Sequence, residues 1–386
     1  MNPAPQSTPK VLIVAGEASG DLHASEVARA IQRAVPGVRL YGVGGDAMRR
    51  AGVDVIHDSS RLAVVGLFEV LTKIVSIWRL FRSLVRGFTA DRPSLAILID
   101  SPDFNLRVAK RLARLRVPVL YFIGPQVWAW RAGRLALMRR IVSRTAVVFP
   151  FEEAIYRDAE VPVSFVGHPL LDRIEAPADL DKERALARER LGIPDGAWVT
   201  LMPGSRRSEV SRILPRLVQT AARLAGRSVR FLLPLAPGLS RSDVEQHLAR
   251  SPLPIRIVED ATYDCLRAAD AAIVASGTAT LEAALLGTPM VVVYRLNPLT
   301  YWFARRVVRV DHIAMANILA GRRLVPELVQ GAATPARIAR EVERFLDEPT
   351  YARSTRNDLL ALREKLGSRG VAGRVAGIAT SLLSGP

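Results

Sequence analysis

Short apolar runs alternate with amphipathic ones through most of the chain. "KVLIVA" leads into the glycine-containing loop "GEASGD" and then into "LHASEVARAIQRAV", where apolar positions return every three or four residues. "RLYGVGGDAMRRAG" repeats the order of strand, loop and helix, and "SLAILID", "VPVLYFIGPQVWAW" and "RTAVVFPF" add further strand-and-loop units. Near-continuous apolar strands of this kind suit a parallel sheet covered on both faces. The charged, proline-punctuated segment "DRIEAPADLDKERALARERLGIPDGA" reads as a linker carrying a helix. A second series then begins with "WVTLMPGSRR", "VRFLLPLAP", "IRIVED" and "AAIVASGTATLEAALLGTPMVVVYR", and the tail from Pro335 is helical and polar. The expected fold is therefore α/β, with two doubly wound halves facing a cleft. The expected division is 8–185, 186–340 and C-terminal helices over 341–386. Those helices either pack back on the first half or swap in a homodimer.

In open sheets of this class ligands gather at the carboxyl ends of the strands, where Glu17, Gly44, Asp100, Gly124 and His168 fall. The most pointed of these loops is "MPGSRRSEV". A strand ends at a Pro-Gly-Ser turn and a helix begins beside two arginines. Free amide groups and the positive end of the helix dipole favour an anion there, so Gly204, Ser205 and Arg206 are candidate phosphate ligands. Ser276, Gly277 and Thr278 repeat the arrangement in the same half. Glu282, one turn on, either accepts hydrogen bonds from a sugar diol or is a solvated helix residue. A diphosphate has enough charge to occupy both helix starts.

Asp100 ends an apolar strand and is placed as a general base; Asp103 follows it and fits a cap of the next helix better. Gly16 and Gly20 bracket a loop holding Glu17 and Asp21. They let a ligand approach the backbone, while Asp21 also suits a cap of its own helix. "GVGGDAM" has Ala47 where a dinucleotide fingerprint wants its third glycine, which leaves a tight turn ahead of a dinucleotide site. Trp128 and Trp130, beside Arg131 and Arg134, either line a sugar or acyl site or fill core. Asp179 and Asp181 lie away from any strand end, so a helix cap is preferred to a metal. The five histidines have no ligand spacing. Neither a metal nor a cofactor is expected.

Composition widens and then narrows the field. The 386 residues exceed one ordinary core. Lys and Arg number 54 against 37 Asp and Glu, a formal net charge of +17, which calls for anionic partners without choosing among nucleic acid, phosphorylated substrate and membrane. A basic α/β nucleic-acid-binding protein remains the rival class, but no recognition motif supports it. Cys265 stands alone, so no internal disulfide forms. "MNPAPQSTPK" lacks a signal-peptide core, and no uninterrupted apolar stretch reaches the roughly 20 residues a spanning helix needs. A cytoplasmic location is expected.

Seven segments in order, "AGEASGD", "DSPDFN", "GPQVWAWR", "FVGHPLLD", "MPGSRRSEV", "ASGTATLEAALLGTPMVVVYR" and "NILAGRRLVPELVQ", together resemble the lipid-A-disaccharide synthases from about residue 11 to residue 330. The resemblance implies a GT-B glycosyltransferase with its donor nucleotide on the C-terminal half. It implies transfer from UDP-2,3-diacylglucosamine to 2,3-diacylglucosamine 1-phosphate (lipid X), with inversion and a β-1,6 linkage. It adds Glu17 and Asn317 to Asp100 and Arg206 as catalytic candidates, and it favours this enzyme over another UDP-sugar transferase and over nucleic acid as partner. Gly124, Gln126, Ser101 and Met202 depart from the family pattern without removing an assigned chemical group.

Lipid substrates call for membrane access. Within 62–88, Leu67, Phe68, Leu71, Ile74, Trp78 and Phe81 recur at helical spacing while Lys73, Arg79, Arg82 and Arg86 interrupt the run. A basic amphipathic helix of this kind suits an anionic inner-membrane surface; a buried helix is the competing reading. The expectation is peripheral attachment to the inner face of the inner membrane.

Overall fold

The computed structural model describes residues 8–59, 67–127, 133–248, 251, 253–297, 301–302 and 311–385, with the helix Leu67–Ala90 described by its backbone alone up to residue 74. The chain divides into two compact units. The first is 1–172 together with 366–386; the second is 173–365.

The first unit is a parallel sheet of β1 (Lys10–Ala15), β2 (Arg39–Gly44), β3 (Asp54–Asp58), β4 (Leu95–Ile99), β5 (Val119–Phe122), β6 (Arg144–Val147) and β7 (Val163–Phe165), in the order β3-β2-β1-β4-β5-β6-β7. The second contains β8 (Trp198–Met202), β9 (Arg230–Pro234), β10 (Ile255–Val258), β11 (Ala271–Ala275), β12 (Met290–Tyr294) and β13 (Glu327–Val329), also parallel, in the order β10-β9-β8-β11-β12-β13. Each sheet is doubly wound, as the alternating pattern implies. The central strands justify their composition: all five residues of β4 and all five of β11 are buried. The short, partly exposed strands β3, β7 and β13 carry too few apolar residues to be legible as strands.

The order places a topological switch point between β1 and β4 in the first unit and between β8 and β11 in the second. Loops leaving adjacent strands on opposite sides of the sheet part there and leave a crevice. The registers pair Ala15 with Ile99 and Val274 with Met202, so the loops after these strands start side by side.

Two parts of the chain join units that their sequence position does not suggest. The helix Leu180–Leu191, read above as part of a linker, packs on Thr262–Ala268 inside the second unit. Arg184 and Arg188 there hold Asp270, whose carboxylate accepts the Trp198 amide at the start of β8. The boundary accordingly falls after Asp172 rather than at 185. At the other end, Pro335–Asp347 and Pro349–Lys365 stay with the second unit, whereas Val371–Ser384 packs on Ala18–Ala34 of the first. Asp172 caps that last helix through the Val371 amide at 3.0 Å, and Arg374 donates from Nε to the Val166 carbonyl at 2.9 Å.

Candidate active site

In the second unit β8 delivers the loop 203–206 to the switch point. Gly204 adopts φ +116°, and a Cβ there would lie 2.4 Å from Glu209 Oε2, so only glycine fits. Glu209, in the first turn of Arg207–Leu224, folds back over the loop. Its Oε2 accepts the Ser205 amide at 3.0 Å and its Oε1 faces Arg206 Nη1 at 3.4 Å. This is a variant of the capping-box contact, in which a third-position Glu reaches back to an amide at the helix entrance. Glu209 was missed by the reading of the sequence, although its three-residue spacing from Arg206 carries that signal. Tyr294, at the end of β12, lies beside the same pair. Burial raises its phenol pKa, the charge of Glu209 adds to the shift and Arg206 opposes it. Arg295, next along, has its guanidinium pKa lowered by burial and by Arg216, a second pair of cations that the sequence reading did not single out.

β11 delivers Ser276, Gly277 and Thr278 beside that loop. The Ser276 amide bonds to the Val293 carbonyl at 3.0 Å and its hydroxyl donates to the Ile313 carbonyl at 3.1 Å. Thr278 stands immediately before the short helix Ala279–Leu285, already helical in backbone and without a side-chain capping hydrogen bond. Glu282 is not a solvated helix residue: its carboxyl pKa is raised by burial, against the opposing effects of a 3.2 Å hydrogen bond from the Tyr263 hydroxyl and of the Arg173 charge. Asn317 is wholly buried. Its Nδ2 donates to Val325 O at 3.0 Å and to Glu327 Oε1 at 2.7 Å, while its Oδ1 accepts from the amides of Leu324 and Val325. Its donors and acceptors are thus spent inside the protein. Glu327 in turn accepts the amides of Ile313 and Ala314, so Asn317 supports the very segment whose carbonyl receives Ser276.

In the first unit, Glu17 follows β1 and precedes Ala18–Ala34, half-buried and extended at φ −134°. Gly16 precedes it, buried. A Cβ at Gly20 would meet only ordinary contacts, 3.6 Å from Ala15 Cβ, so the surrounding protein does not itself demand glycine there. Asp21 corrects an expectation. It does not cap its own helix; its carboxylate crosses to the turn after β2 and accepts the amides of Gly45 (2.6 Å), Ala47 (2.9 Å) and Met48 (3.2 Å), capping Asp46–Arg50. The glycine-rich turn therefore holds a carboxylate of the protein where a dinucleotide site would hold a pyrophosphate. A Cβ at Gly45 would lie 2.8 Å from that carboxylate, which explains the glycine.

After β4 the chain turns through two consecutive left-handed non-glycine residues, Asp100 at φ 49° and Ser101 at φ 43°. Such residues cost on the order of 1–3 kcal/mol each and persist only where their surroundings over-determine them. Here the Asp100 carbonyl accepts the Tyr121 hydroxyl at 2.7 Å and Asn105 Nδ2 at 2.8 Å, and Asn105 Nδ2 also donates to Ile99 O at 3.0 Å. Neither Tyr121 nor Asn105 was singled out in the sequence. The neighbouring strand repeats the feature: Ile123, after β5, lies at φ 60°, a true outlier for a β-branched residue. A Cβ on the following Gly124 would lie 2.6 Å from the Tyr156 hydroxyl, which donates to Pro125 O at 2.8 Å.

Asp103 lies exposed in the first turn of Pro102–Arg114, paired with Arg134; the N-cap is Ser101. Trp128 and Trp130 lie outside the described residues. His168 is buried, with Nδ1 accepting the Leu170 amide at 3.2 Å. Asp179 caps Leu180–Leu191 through the amides of Asp181 and Lys182, both at 3.1 Å, as its position away from any strand end implied. Among the described residues no three His, Cys, Asp or Glu side chains group to hold a metal.

The helix Leu67–Ala90 has two faces. Leu80, Leu84 and Phe88 enter the core, and Phe81 turns with them, edge-on to Phe104 at 6.0 Å. Phe81 therefore belongs to the packed face rather than to an outer one. Trp78 is 54% exposed, with Arg82 4.4 Å over its ring. Val75, Arg79 and Arg86 share the exposed side. The side chains of Leu67, Phe68, Leu71 and Ile74 lie outside those described. No described helix is long and apolar enough to cross a membrane.

Two parallel α/β units, each with its polar loops at a switch point, are the architecture of a GT-B glycosyltransferase. Solved structures of that architecture align over nearly the whole chain. They include the calicheamicin glycosyltransferase CalG4 (TM-score 0.60, 17% identity, 98% of this chain and 99% of that one) and Acinetobacter baumannii MurG (0.57, 14%, 97% and 99%). A Neisseria meningitidis UDP-GlcNAc 2-epimerase bound to UDP-GlcNAc also aligns (0.64, 14%, 98% and 100%), so the fold alone does not select the reaction. Sequence does. The family model described as lipid-A-disaccharide synthetase matches residues 11–373. Lipid-A-disaccharide synthases of Geobacter metallireducens and Nitrosococcus oceani are 49% and 43% identical, covering 97% and 98% of this chain and 97% of each relative. The chain belongs to the lipid-A-disaccharide synthase family, hexosyltransferases of lipid A biosynthesis.

Proposed function

We propose that the chain transfers the sugar of UDP-2,3-diacylglucosamine to the 6-hydroxyl of 2,3-diacylglucosamine 1-phosphate, releasing UDP and a β-1,6-linked tetra-acyl disaccharide 1-phosphate. The observation that carries this reading is the left-handed carboxylate-bearing turn at Asp100, placed at one switch point, with the helix entrances after Ser205 and Ser276 at the other. Asp100 takes the proton of the acceptor hydroxyl as that oxygen attacks C1 of the donor sugar. The bond from C1 to the diphosphate oxygen breaks, UDP leaves with the electron pair, and C1 inverts. Gly204, Ser205, Arg206, Ser276, Gly277 and Thr278 surround the negative charge that develops on UDP. The diphosphate takes the place of Glu209 on the Ser205 amide and on Arg206, while Ser276, held by Val293 O and Ile313 O, shapes the second loop. Arg216 and Arg295 add positive charge in the same unit. Glu282 binds the ribose diol. Asn317, through Glu327, positions the segment under Ser276. Glu17, Gly16, Gly20 and Asp103 bound the acceptor side, and Trp128 and Trp130 are assigned to the acceptor sugar or acyl chains from sequence. The Neisseria epimerase of the same fold holds UDP-GlcNAc, which supports a UDP-sugar here.

The exposed Val75, Trp78, Arg79, Arg82 and Arg86 side of Leu67–Ala90 attaches the first unit to an anionic inner-membrane surface. An inserted apolar side chain adds about 1.5–3 kcal/mol and a nearby basic one about 1 kcal/mol. A homodimer is compatible with this arrangement and is read out by the mass in solution. The reaction is tested by incubating the purified protein with both acylated substrates and following UDP and disaccharide together. Stoichiometric release of the two supports the reading; UDP release without disaccharide contradicts it.

A further inference from the structure

We infer that Tyr121 and Asn105 form a clamp that holds the Asp100 turn in its left-handed conformation, and that both are positioning residues for the proton transfer. This rests on the reading of Asp100 as the general base. Three observations carry it. First, the Asp100 carbonyl receives two side-chain donors from different elements, the Tyr121 hydroxyl from β5 and the Asn105 amide from Pro102–Arg114. Second, both side chains are completely buried, so neither donor loses its partner to solvent. Third, Asn105 is costly where it stands. Both its Nδ2 donations go to consecutive carbonyls, Ile99 and Asp100, while its Oδ1 accepts no hydrogen bond among the described residues. A buried orphan oxygen inside a helix is disfavoured both by desolvation and by propensity. Retaining it is reasonable where the amide's two donors do something a smaller apolar residue cannot. What they do is fix the last carbonyl of β4 and the one after it, the two that set where the strand ends and the Asp100 side chain begins its path.

The phenol is suited to the task. Burial, and then the charge of Asp100, push its pKa well above the usual tyrosine value, so it stays a donor at every pH at which the enzyme works. The clamp also explains why the turn tolerates two left-handed non-glycine residues: the Asp100 amide is tied to Phe122 O at 3.1 Å while its carbonyl is held from two sides. The backbone is thus fixed at both ends of one residue, and its side chain inherits that orientation.

The test uses Tyr121→Phe, Asn105→Ala and Asp100→Asn in the full chain, each followed by steady-state kinetics, a pH profile of kcat/KM, UDP affinity and thermal melting. Tyr121→Phe removes one oxygen and keeps the ring. It is expected to lower kcat about tenfold with KM for both substrates within twofold, to leave UDP affinity unchanged and to displace the acidic limb of the pH profile. Asn105→Ala is expected to lower kcat further, and the double variant to lose less than the product of the two, because both act on one carbonyl. A residue that only stabilised the fold would lower the melting temperature and leave the limb where it is in the wild type. Wild-type kcat and an unmoved limb in Tyr121→Phe, with Asp100→Asn inactive, would overturn the clamp and leave Asp100 as the base. An active Asp100→Asn would overturn both. If Asn105→Ala fails to fold, Tyr121→Phe alone decides.

Discussion

The two switch points solve different problems with different backbone. In the second unit the loop after β8 follows ordinary helix-entry rules: a glycine where φ is positive, an extended N-cap at Arg206, and a Glu in the first turn closing back on it. In the first unit the loop after β4 breaks the rules, with Asp100 and Ser101 left-handed and no glycine to relieve them. Stabilising a leaving diphosphate needs many donors in roughly the right place, and helix entrances provide them at little conformational cost. Removing one proton needs a single carboxylate in one place, and strain held by buried partners supplies that definition. On the proposed reading, the diphosphate loops of the second unit use common parts, and the Asp100 turn of the first uses a built one.

The sharpest way to break this comparison is Asp100→Asn, which keeps the volume and removes the carboxylate proposed as the base. Turnover is expected to fall on the order of 10²–10⁴-fold with UDP affinity and melting unchanged; radiolabelled disaccharide formation measures it. Arg206→Ala should act on the other half. A loss of about 10²–10³ in kcat/KM, this time with weakened UDP binding by calorimetry, would separate the roles of the two loops. Equal UDP affinity in wild type and Arg206→Ala would place the diphosphate elsewhere.

Glu282 offers a smaller and two-sided effect. Glu282→Ala is expected to weaken UDP roughly tenfold, the value of a hydrogen bond to a charged group, without changing kcat at saturation. Burial raises its carboxyl pKa, so the folded chain holds the proton more tightly than the unfolded one. Stability contributed by the protonated form is complete below the ordinary carboxylate range and declines as pH rises toward the raised value. Glu282→Gln should therefore melt a degree or two higher than wild type near neutral pH, on the order of 1 kcal/mol or less, and the gap should close in acid. UDP affinity in the wild type should weaken over the same acid range. A wild-type advantage in melting at neutral pH would contradict the sign.

The smallest effect is expected at Trp78. Trp78→Ser leaves the core face of Leu80, Leu84 and Phe88 intact, so the melt should hold while partition onto anionic vesicles drops about tenfold or more. Added salt should weaken the wild type only in part, since it screens the arginines and leaves apolar insertion. Retention of wild-type vesicle binding by Trp78→Ser would remove this face from the membrane reading.

Much of this was legible from local pattern. The strand ends at Asp100, Met202 and Ala275, the helix starts after them, and the parallel class all follow from short-range periodicity and composition. What was not legible depends on partners far away in sequence. Asp21 looks like a cap for its own helix until the turn after β2 is brought beside it, 24 residues on. Asn317 is a site candidate by family resemblance alone, and its burial appears only when residues 324 to 327 fold over it. Tyr121 reads as core, because an apolar strand hides which of its side chains carries a hydroxyl to a neighbour's carbonyl. Glu282 reads either as a diol acceptor or as a solvated helix residue, because a helix of seven residues shows no face of its own until Tyr263 lies against it.

The return of Val371–Ser384 to the first unit has a consequence for biosynthesis. The ribosome makes residues 8–172 first, then the whole of the second unit, and only then the helix that covers Ala18–Ala34. At roughly 5–20 residues per second, the nascent first unit waits on the order of ten seconds or more with that face open. Ala24, Val27, Ala28 and Ile31, fully covered in the finished protein, lie on a helix that lacks this cover during the interval. The same delay keeps the strained Asp100 turn in a half-built unit until synthesis is nearly over. A newly made chain thus leaves Ala18–Ala34 without this cover while the second unit is being completed, and chaperone demand should peak in that interval.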